Sequence, residues 1–307
     1  MYRYFKAAVT GNSPVNRFFK LLSIYFPGEI ITPEPGQFYM LQTGHTYDPL
    51  LKRPFSVFSH ECSNAKDSNE SSVTSNELKT KDKDLSLSSE SSLQFLYRVR
   101  GKGTLGLAQM KAGDSIQVIG PMGNGYPAPE GDFIAVAGGI GIASLLPFLE
   151  KHRNRAYLFY GAQSREELVM LEKAGNAARE TFITTDDGSE GRKGLITDVV
   201  KEFLNNSEKG SDKLSVISDK LKDKDSSLDS SLITHHSSLP LYACGPAPML
   251  KALAEVVKGR GVKCYASLEE HMACGVGACL GCVVKTHSGQ KRVCKEGPVF
   301  DIGEIAW

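Results

Sequence analysis

The sequence predicts a multidomain protein: an antiparallel β-barrel, then an α/β domain on a parallel sheet, then a small C-terminal domain organised by cysteines. Three observations predict it. Short β-rich runs such as FYMLQT, FSVFS, FLYRVR and SIQVIG fill the first 125 residues, separated by Gly, Pro and Asp. That punctuation is typical of antiparallel sheet. Strand and helix then alternate: FIAVA before GGIGIAS and LLPFLEKH, AYLFYGA before REELVMLEKAGNAA, then TFITTDD and LPLYACG. Such alternation gives parallel strands covered by helices. Finally, four of the seven cysteines lie between residues 274 and 294, a density that points to a metal site.

At 307 residues the chain suits two or three domains, and 41% apolar residues suffice for ordinary cores. Basic and acidic side chains nearly cancel, 36 against 35, for a formal charge of +1. This balance gives no electrostatic case for nucleic acid or an anionic membrane as partner. No apolar run is long and glycine-free enough to span a bilayer, and MYRYFKAAVTGNSP lacks the apolar stretch of a secretion signal. The expected location is therefore the cytoplasm, where thiols stay reduced and disulfides are rare. Cys62 and Cys264 read as ordinary thiols.

Two segments do not read as folded. Residues 60–92 and 205–238 each contain ten serines and many charges, and they share a phrase, KDKDLSLSSESSL at 81–93 and KDKDSSLDSSL at 222–232. With little to bury they cannot offset the entropy of ordering, so both are expected to be disordered insertions. Long surface insertions are cheap because closure entropy grows only logarithmically with length. The expected division is then a barrel over 1–125 interrupted by 60–92, an α/β domain over 126–263 interrupted by 205–238, and a cysteine domain over 264–307.

In HMACGVGACLGCVVK and KRVCKEGPVF, Cys274, Cys279 and Cys282 are spaced C-x4-C-x2-C, with Cys294 more distant. That is the plant-type spacing for a [2Fe–2S] cluster. Three thiolates on one tight loop wrap the irons, a fourth closes the site, and glycines let backbone N–H groups approach the sulfurs. A structural zinc site remains the alternative, although zinc sites usually show two short C-x2-C knuckles.

GGIGIAS at 138–144 follows a strand and opens a helix, a place where glycines let phosphate meet the positive end of a helix dipole. It is not the full G-x-G-x-x-G fingerprint. YACGPAPML at 242–250 is a second strand ending in glycine and opening a helix. Both would lie at the carboxyl edge of one parallel sheet. RPFS at 53–56 sits on a barrel strand, where Arg and Ser together can hold a pyrophosphate.

RPFS, GGIGIAS and YACGP, in that order, resemble the ferredoxin–NADP reductase superfamily, in which a flavin barrel precedes a nicotinamide-binding α/β domain. SLEEHMACGVGACLGCVVK and RVCKEGPVF, with LYRVRGKGT and GPMGNGY, resemble more closely the electron-transfer subunits of NAD-dependent (type 1B) dihydroorotate dehydrogenases. The resemblance covers the chain outside the two insertions. It implies FAD, a [2Fe–2S] cluster and NAD as co-substrate. By that resemblance Arg53, Pro54, Phe55, Ser56, Leu96, Tyr97, Arg98, Gly103 and Thr104 hold FAD. Gly138, Gly139, Gly141, Cys244, Gly245 and Pro246 line the nicotinamide site, and Cys274, Cys279, Cys282 and Cys294 ligate the cluster. Two departures stand out: Ser144, where relatives often have proline, and His271, where arginine is expected.

The implied work is electron transfer between NAD and a separate FMN-containing catalytic subunit that oxidises dihydroorotate in pyrimidine (UMP) synthesis, in a heterotetramer of two of each. No residue is expected to act as catalytic acid or base. Two alternatives stay open: the small subunit of an NADPH-dependent ferredoxin or sulfide oxidoreductase, and a zinc-stabilised binding module without redox chemistry.

Overall fold

The computed structural model describes residues 2–28, 30–42, 50–63, 90–208 and 238–307. Apolar and polar side chains alternate along the first strands, so that Phe5, Ala7 and Val9 turn inward from β1 (Arg3–Pro14). Leu22 and Ile24 do the same from β2 (Phe19–Pro27). Period-two burial makes each strand a one-sided wall. With β3 (Phe38–Leu41), β4 (Arg53–Ser56), β5 (Ser59–Ser63), β6 (Glu90–Arg98) and β7 (Ser115–Met122) they form an antiparallel sheet in the order β4-β3-β7-β1-β2-β6-β5. The sheet curls: Phe55 of β4 reaches Phe95 and Tyr97 of β6, ring centroids 6.4 and 5.9 Å apart. Helix α1 (Lys102–Gln109) is tied to the barrel by Asn12, whose Nδ2 donates to Leu107 O and Met110 O at 2.7 and 3.0 Å. Tyr97 donates in turn to Asn12 Oδ1.

The second unit obeys a different rule. In β8 (Phe133–Gly138) every residue is buried, because both faces are covered. Ile134 and Val136 join one core with α4 (Ile196–Glu208) and α5 (Ala247–Val257). Phe133, Ala135 and Ala137 join the other, with α2 (Ile142–Lys151) and α3 (Leu171–Ala177). A two-sided strand has no polar face to show, hence the unbroken run FIAVA. The sheet also contains β9 (Ala156–Ala162), β10 (Glu180–Thr185), β11 (Arg192–Lys193), β12 (Leu241–Cys244), β13 (Cys264–Ser267) and β16 (Val299–Asp301). The order is β11-β10-β9-β8-β12-β13-β16, parallel except for the last pair.

Between β13 and β16 lie the cysteine loop and a hairpin of β14 (Val283–Thr286) and β15 (Gly289–Arg292). One core runs from Phe38, Met40 and Met122 of the barrel through Cys282, Val293 and Cys294 to Ala266 and Phe300 of the sheet.

Four expectations need correction. Residues 60–63 and 90–92, assigned to a disordered insertion, belong to β5 and β6, which pair from Ser59↔Gln94 to Ser63↔Glu90. Backbone pairing needs no apolar side chains, which composition alone overlooked. The remainder of that insertion, 64–89, lies outside the described residues. Residues 205–208, assigned to the second insertion, extend α4, and 209–237 are outside the description. The boundary at 263/264 cuts ahead of a strand of the parallel sheet: Cys264 pairs with Leu241, so the cysteine unit begins after β13. REELVMLEKAGNAA is not one helix. Met170 adopts φ 58°, where the Val169 carbonyl is taken by the buried Tyr160 hydroxyl at 3.0 Å.

The cysteine unit docks on the barrel where Asn124 N donates to Gly297 O at 2.6 Å and Asn124 Nδ2 to Glu296 O at 2.9 Å. The neighbouring Gly123 has φ 73°, and a Cβ there would lie 2.6 Å from Gly297 O and closer still to Pro298 Cδ. Gly123→Ala is therefore expected to destabilise the protein by about 2–4 kcal/mol through backbone strain and overpacking. A fall in the thermal unfolding midpoint checks this, and an unchanged midpoint would contradict the docking described.

Candidate functional site

Strand order reverses at β8. The chain runs outward through β9, β10 and β11, then returns to place β12 on the other side of β8. Loops leaving β8 and β12 therefore diverge at the carboxyl edge, where open α/β sheets take ligands. Here they bound a cavity of about 810 Å³ whose opposite wall is the barrel. Pro54, Phe55 and Ser56 of β4 and Leu96, Tyr97 and Arg98 of β6 line one side. Gly138, Gly139, Gly141, Cys244, Gly245 and Pro246 line the other.

The structure leaves three predicted residues out of this lining. Arg53 Nη1 turns back along its own strand end and donates to Leu51 O at 2.7 Å. Gly103 is buried inside α1. The Thr104 hydroxyl is committed to the start of that helix, accepting from Arg100 N and Gly101 N at 2.8 and 3.2 Å. The strand pattern put Arg53 on the right strand but could not reveal which way its guanidinium turns.

Conversely, the cavity includes Arg100, Glu167, Thr184, Ser267 and Glu269, which the sequence did not single out. Arg98 donates to Glu167 Oε1 at 3.0 Å and lies 5.0 Å over the Phe18 ring. It thus joins the barrel to the α/β unit while facing the cavity. No local signal marks Glu167, since its partner is 69 residues away in sequence. Cys244 is buried among Tyr126, Ser144 and Ser267, and Tyr126 and Ser144 pair at 3.2 Å. Burial, then the Glu269 carboxylate, pushes the Cys244 thiol up to about 12. Glu269 opens onto the cavity yet is ringed by protein, and this burial raises its pKa while Arg100 pulls it down.

The cavity suits a dinucleotide in two ways. Gly139, with φ 51° and nothing within 4 Å of where a Cβ would be, offers bare backbone just before α2, the geometry that admits phosphate. Thr184 Oγ1, at the carboxyl end of β10, is buried without a hydrogen-bond partner among the described residues, although Thr184 lines the cavity. An unpaired buried hydroxyl is costly unless a ligand satisfies it.

The cysteine loop has its own geometry. The Cys279 side chain acts on the Cys274 thiol, and the Cys282 and Cys274 sulfurs act on Cys294, so the four thiols are close neighbours. Backbone N–H groups point at them: Gly277 N to Cys294 Sγ at 3.1 Å, Cys279 N to Cys274 Sγ at 3.4 Å, and Cys294 N to Cys282 Sγ at 3.4 Å. Burial raises the Cys274 pKa, but the N–H donors of Cys279, Val276 and Ala278, with the Cys279 thiol, bring it down to about 6. Burial and the Cys282 sulfur push Cys294 up. Among the described residues no three His, Cys, Asp or Glu side chains are grouped to hold a single metal ion. Backbone N–H donors aimed at three of the cysteine sulfurs fit an iron–sulfur cluster, whose charge they would stabilise. The loop packs on the barrel, for a Cβ on Gly275 would lie 2.7 Å from Met40 Cγ.

These features define a class: an FAD- and nicotinamide-binding reductase fold extended by an iron–sulfur unit. The chain is similar along 98% of its length to a solved NADH-dependent reduced ferredoxin–NADP oxidoreductase (TM-score 0.68, 23% identity, 90% of that chain). It is also similar over 84% to a ferredoxin NADP+ reductase from Neisseria gonorrhoeae with bound FAD and NADP (TM-score 0.54, 17% identity, 92% of that chain). Residues 269–306 match the family described as the iron–sulfur cluster binding domain of dihydroorotate dehydrogenase B. The chain is 37% identical over 279 residues (89% of it, 87% of the relative) to the dihydroorotate dehydrogenase B (NAD(+)) electron transfer subunit of Caldanaerobacter subterraneus. It is 32% identical to that of Clostridium perfringens, with 98% of both chains covered. A homolog of that subunit from Aquifex aeolicus is 33% identical over 97% of both chains. The chain belongs to the family of electron transfer subunits of NAD-dependent dihydroorotate dehydrogenase B. It is an oxidoreductase component working with FAD, an iron–sulfur cluster and NAD.

With a pKa of about 12, Cys244 has about one thiolate in ten thousand at pH 8. Iodoacetamide at pH 8 is expected to label Cys62, exposed on β5, and to spare Cys244, as read by peptide mass mapping. The sign for stability follows. The folded state prefers the neutral thiol, so this contribution is complete below the ordinary value of 9.0 and is lost as pH rises from there towards 12.

Proposed function

We propose that this chain carries electrons between NAD and an FMN-containing dihydroorotate dehydrogenase catalytic subunit, in a cytoplasmic complex of two copies of each, without nucleic-acid or membrane partners. One observation carries the reading: cavity and cysteine loop share a wall. Pro54, which lines the cavity, pairs across the sheet with Met40, against which Gly275 of the cysteine loop packs. When bound, the nicotinamide supplies hydride chemistry, the flavin exchanges electrons in pairs or singly, and the cluster carries one at a time.

The chain's own residues position these groups. Pro54, Phe55, Ser56, Leu96, Tyr97 and Arg98 would hold FAD against the barrel, and Arg53 would join them only by leaving Leu51 O. Gly103 and Thr104 would contribute from the first turn of α1, backbone first, because the Thr104 hydroxyl is already used. Gly138, Gly139 and Gly141 would admit the dinucleotide phosphates, with Cys244, Gly245 and Pro246 facing the nicotinamide. Cys274, Cys279, Cys282 and Cys294 would ligate the cluster. Burial keeps the Cys244 thiol uncharged where it faces the cavity.

Residues 278–281 are exposed, and Leu280 is turned outward at φ 57° with 63% of its surface accessible. That edge of the cysteine loop is where the catalytic subunit would meet the cluster. Among the described residues no helix is long and apolar enough to cross a membrane.

Co-purification with the catalytic subunit, followed by assay of NAD+ reduction by dihydroorotate, tests the reading. Cys279→Ser is expected to abolish delivery to the partner, by at least a hundredfold, while NADH still reduces the bound FAD. Equal survival of both activities would remove the cluster from the path.

A further inference from the structure

One side chain outside the ligand set is built around the cysteine loop. Arg292, at the end of β15, forms a two-pronged pair with the Glu296 carboxylate. Its Nε donates to Oε2 at 3.0 Å and its Nη2 donates to Oε1. Arg292 N also donates to Glu296 Oε2, at 2.7 Å. With Nε and Nη2 so anchored, Nη1 is aimed away from the carboxylate and donates to Gly277 O at 2.9 Å. That carbonyl belongs to the peptide joining Gly277 to Ala278, a plane that lies between two backbone donors to the cysteine sulfurs. In a trans peptide the C=O and N–H point to opposite sides of one rigid plane. A grip on the oxygen therefore sets the orientation of the whole plane. The N–H before it, of Gly277, donates to Cys294 Sγ at 3.1 Å and the N–H after it, of Cys279, to Cys274 Sγ at 3.4 Å, so the clamped plane sits between the two donors.

We infer that Arg292 is a positioning residue for the cluster: by clamping the Gly277 carbonyl it holds the peptide plane between the Gly277 and Cys279 N–H donors, keeps both aimed at their sulfurs, and makes the cluster easier to reduce. This rests on the reading that the four cysteines hold [2Fe–2S]. Reduction adds negative charge, which N–H donors aimed at the sulfurs stabilise, so losing a donor lowers the potential. The role needs a planar fork, because two prongs must fix the guanidinium while another N–H of the same plane reaches the carbonyl. A lysine ammonium keeps the charge but has no such plane.

The full chain, purified anaerobically, is first assayed for iron, acid-labile sulfide and FAD. The cluster midpoint is then measured by redox titration followed by electron paramagnetic resonance. Arg292→Lys and Arg292→Gln are expected to lower the cluster midpoint and alter the signal of the reduced cluster, leaving the FAD midpoint unmoved. Lys291→Gln, which breaks a neighbouring pair with Glu304 on the same hairpin, is expected to leave both unmoved. Glu296→Gln gives an opposed sign. Loss of an anion alone would raise the midpoint, whereas release of the clamp lowers it, and lowering is expected. A wild-type midpoint and signal in Arg292→Lys, or a raised midpoint in Glu296→Gln, would overturn the inference while leaving the cluster in place. Wild-type protein with FAD but neither iron nor sulfide would instead overturn the cluster reading on which it stands.

Discussion

The contact of the cysteine loop with β3 and β7 is the constraint on which the remaining architecture depends. Gly275 leaves no room for a side chain between itself and Met40 and Met122. The cysteine loop is therefore seated against the barrel, whose strand β3 also borders the cavity through Phe38. Cores are packed like crystals, so such a contact fixes relative position to a fraction of an ångström. The apolar core continues without a break from Met40 through Cys282 and Cys294 to the parallel sheet. The three units share one interior, and their redox groups would be held in a constant order.

The second constraint is the reversal of strand order at β8. Doubly buried strands bring two loops to one edge, and the barrel closes the crevice they leave. Much of the chemistry there is quiet. Cys244 is held as a thiol by burial, and Arg98 is neutralised by Glu167. A site that passes electrons gains from dipoles fixed in place, since each rearrangement on charge transfer raises the barrier. The same logic applies at the cysteine loop, where N–H donors and the Arg292–Glu296 fork are in place around the sulfurs.

Much of this was legible in residue order. Burial on both faces wrote FIAVA, one-sided burial wrote the alternation of β1, and the C-x4-C-x2-C spacing named the loop. What was misplaced has a common cause. β5, the start of β6 and the end of α4 were assigned to insertions because serine-rich composition hides backbone hydrogen bonding. Cys264 was drawn into the cysteine unit by its side chain, although its backbone pairs with Leu241. Arg53, Gly103 and Thr104 stand beside the cavity lining because side-chain direction depends on local hydrogen bonds that motifs do not record.

By itself the sequence determined the kinds of unit, their order, the spacing of the four cysteines and the glycine turns, for these follow from period, spacing and conformational freedom within a few residues. Only the tertiary structure decided that cavity and cysteine loop share a wall. It alone paired Arg98 with Glu167, left Thr184 unpartnered at the cavity, and brought Arg292 to the carbonyl of Gly277. Those are meetings of residues distant in sequence, set by how sheets stack and loops close. No local pattern carries them, because the free energy that selects them belongs to the packed whole.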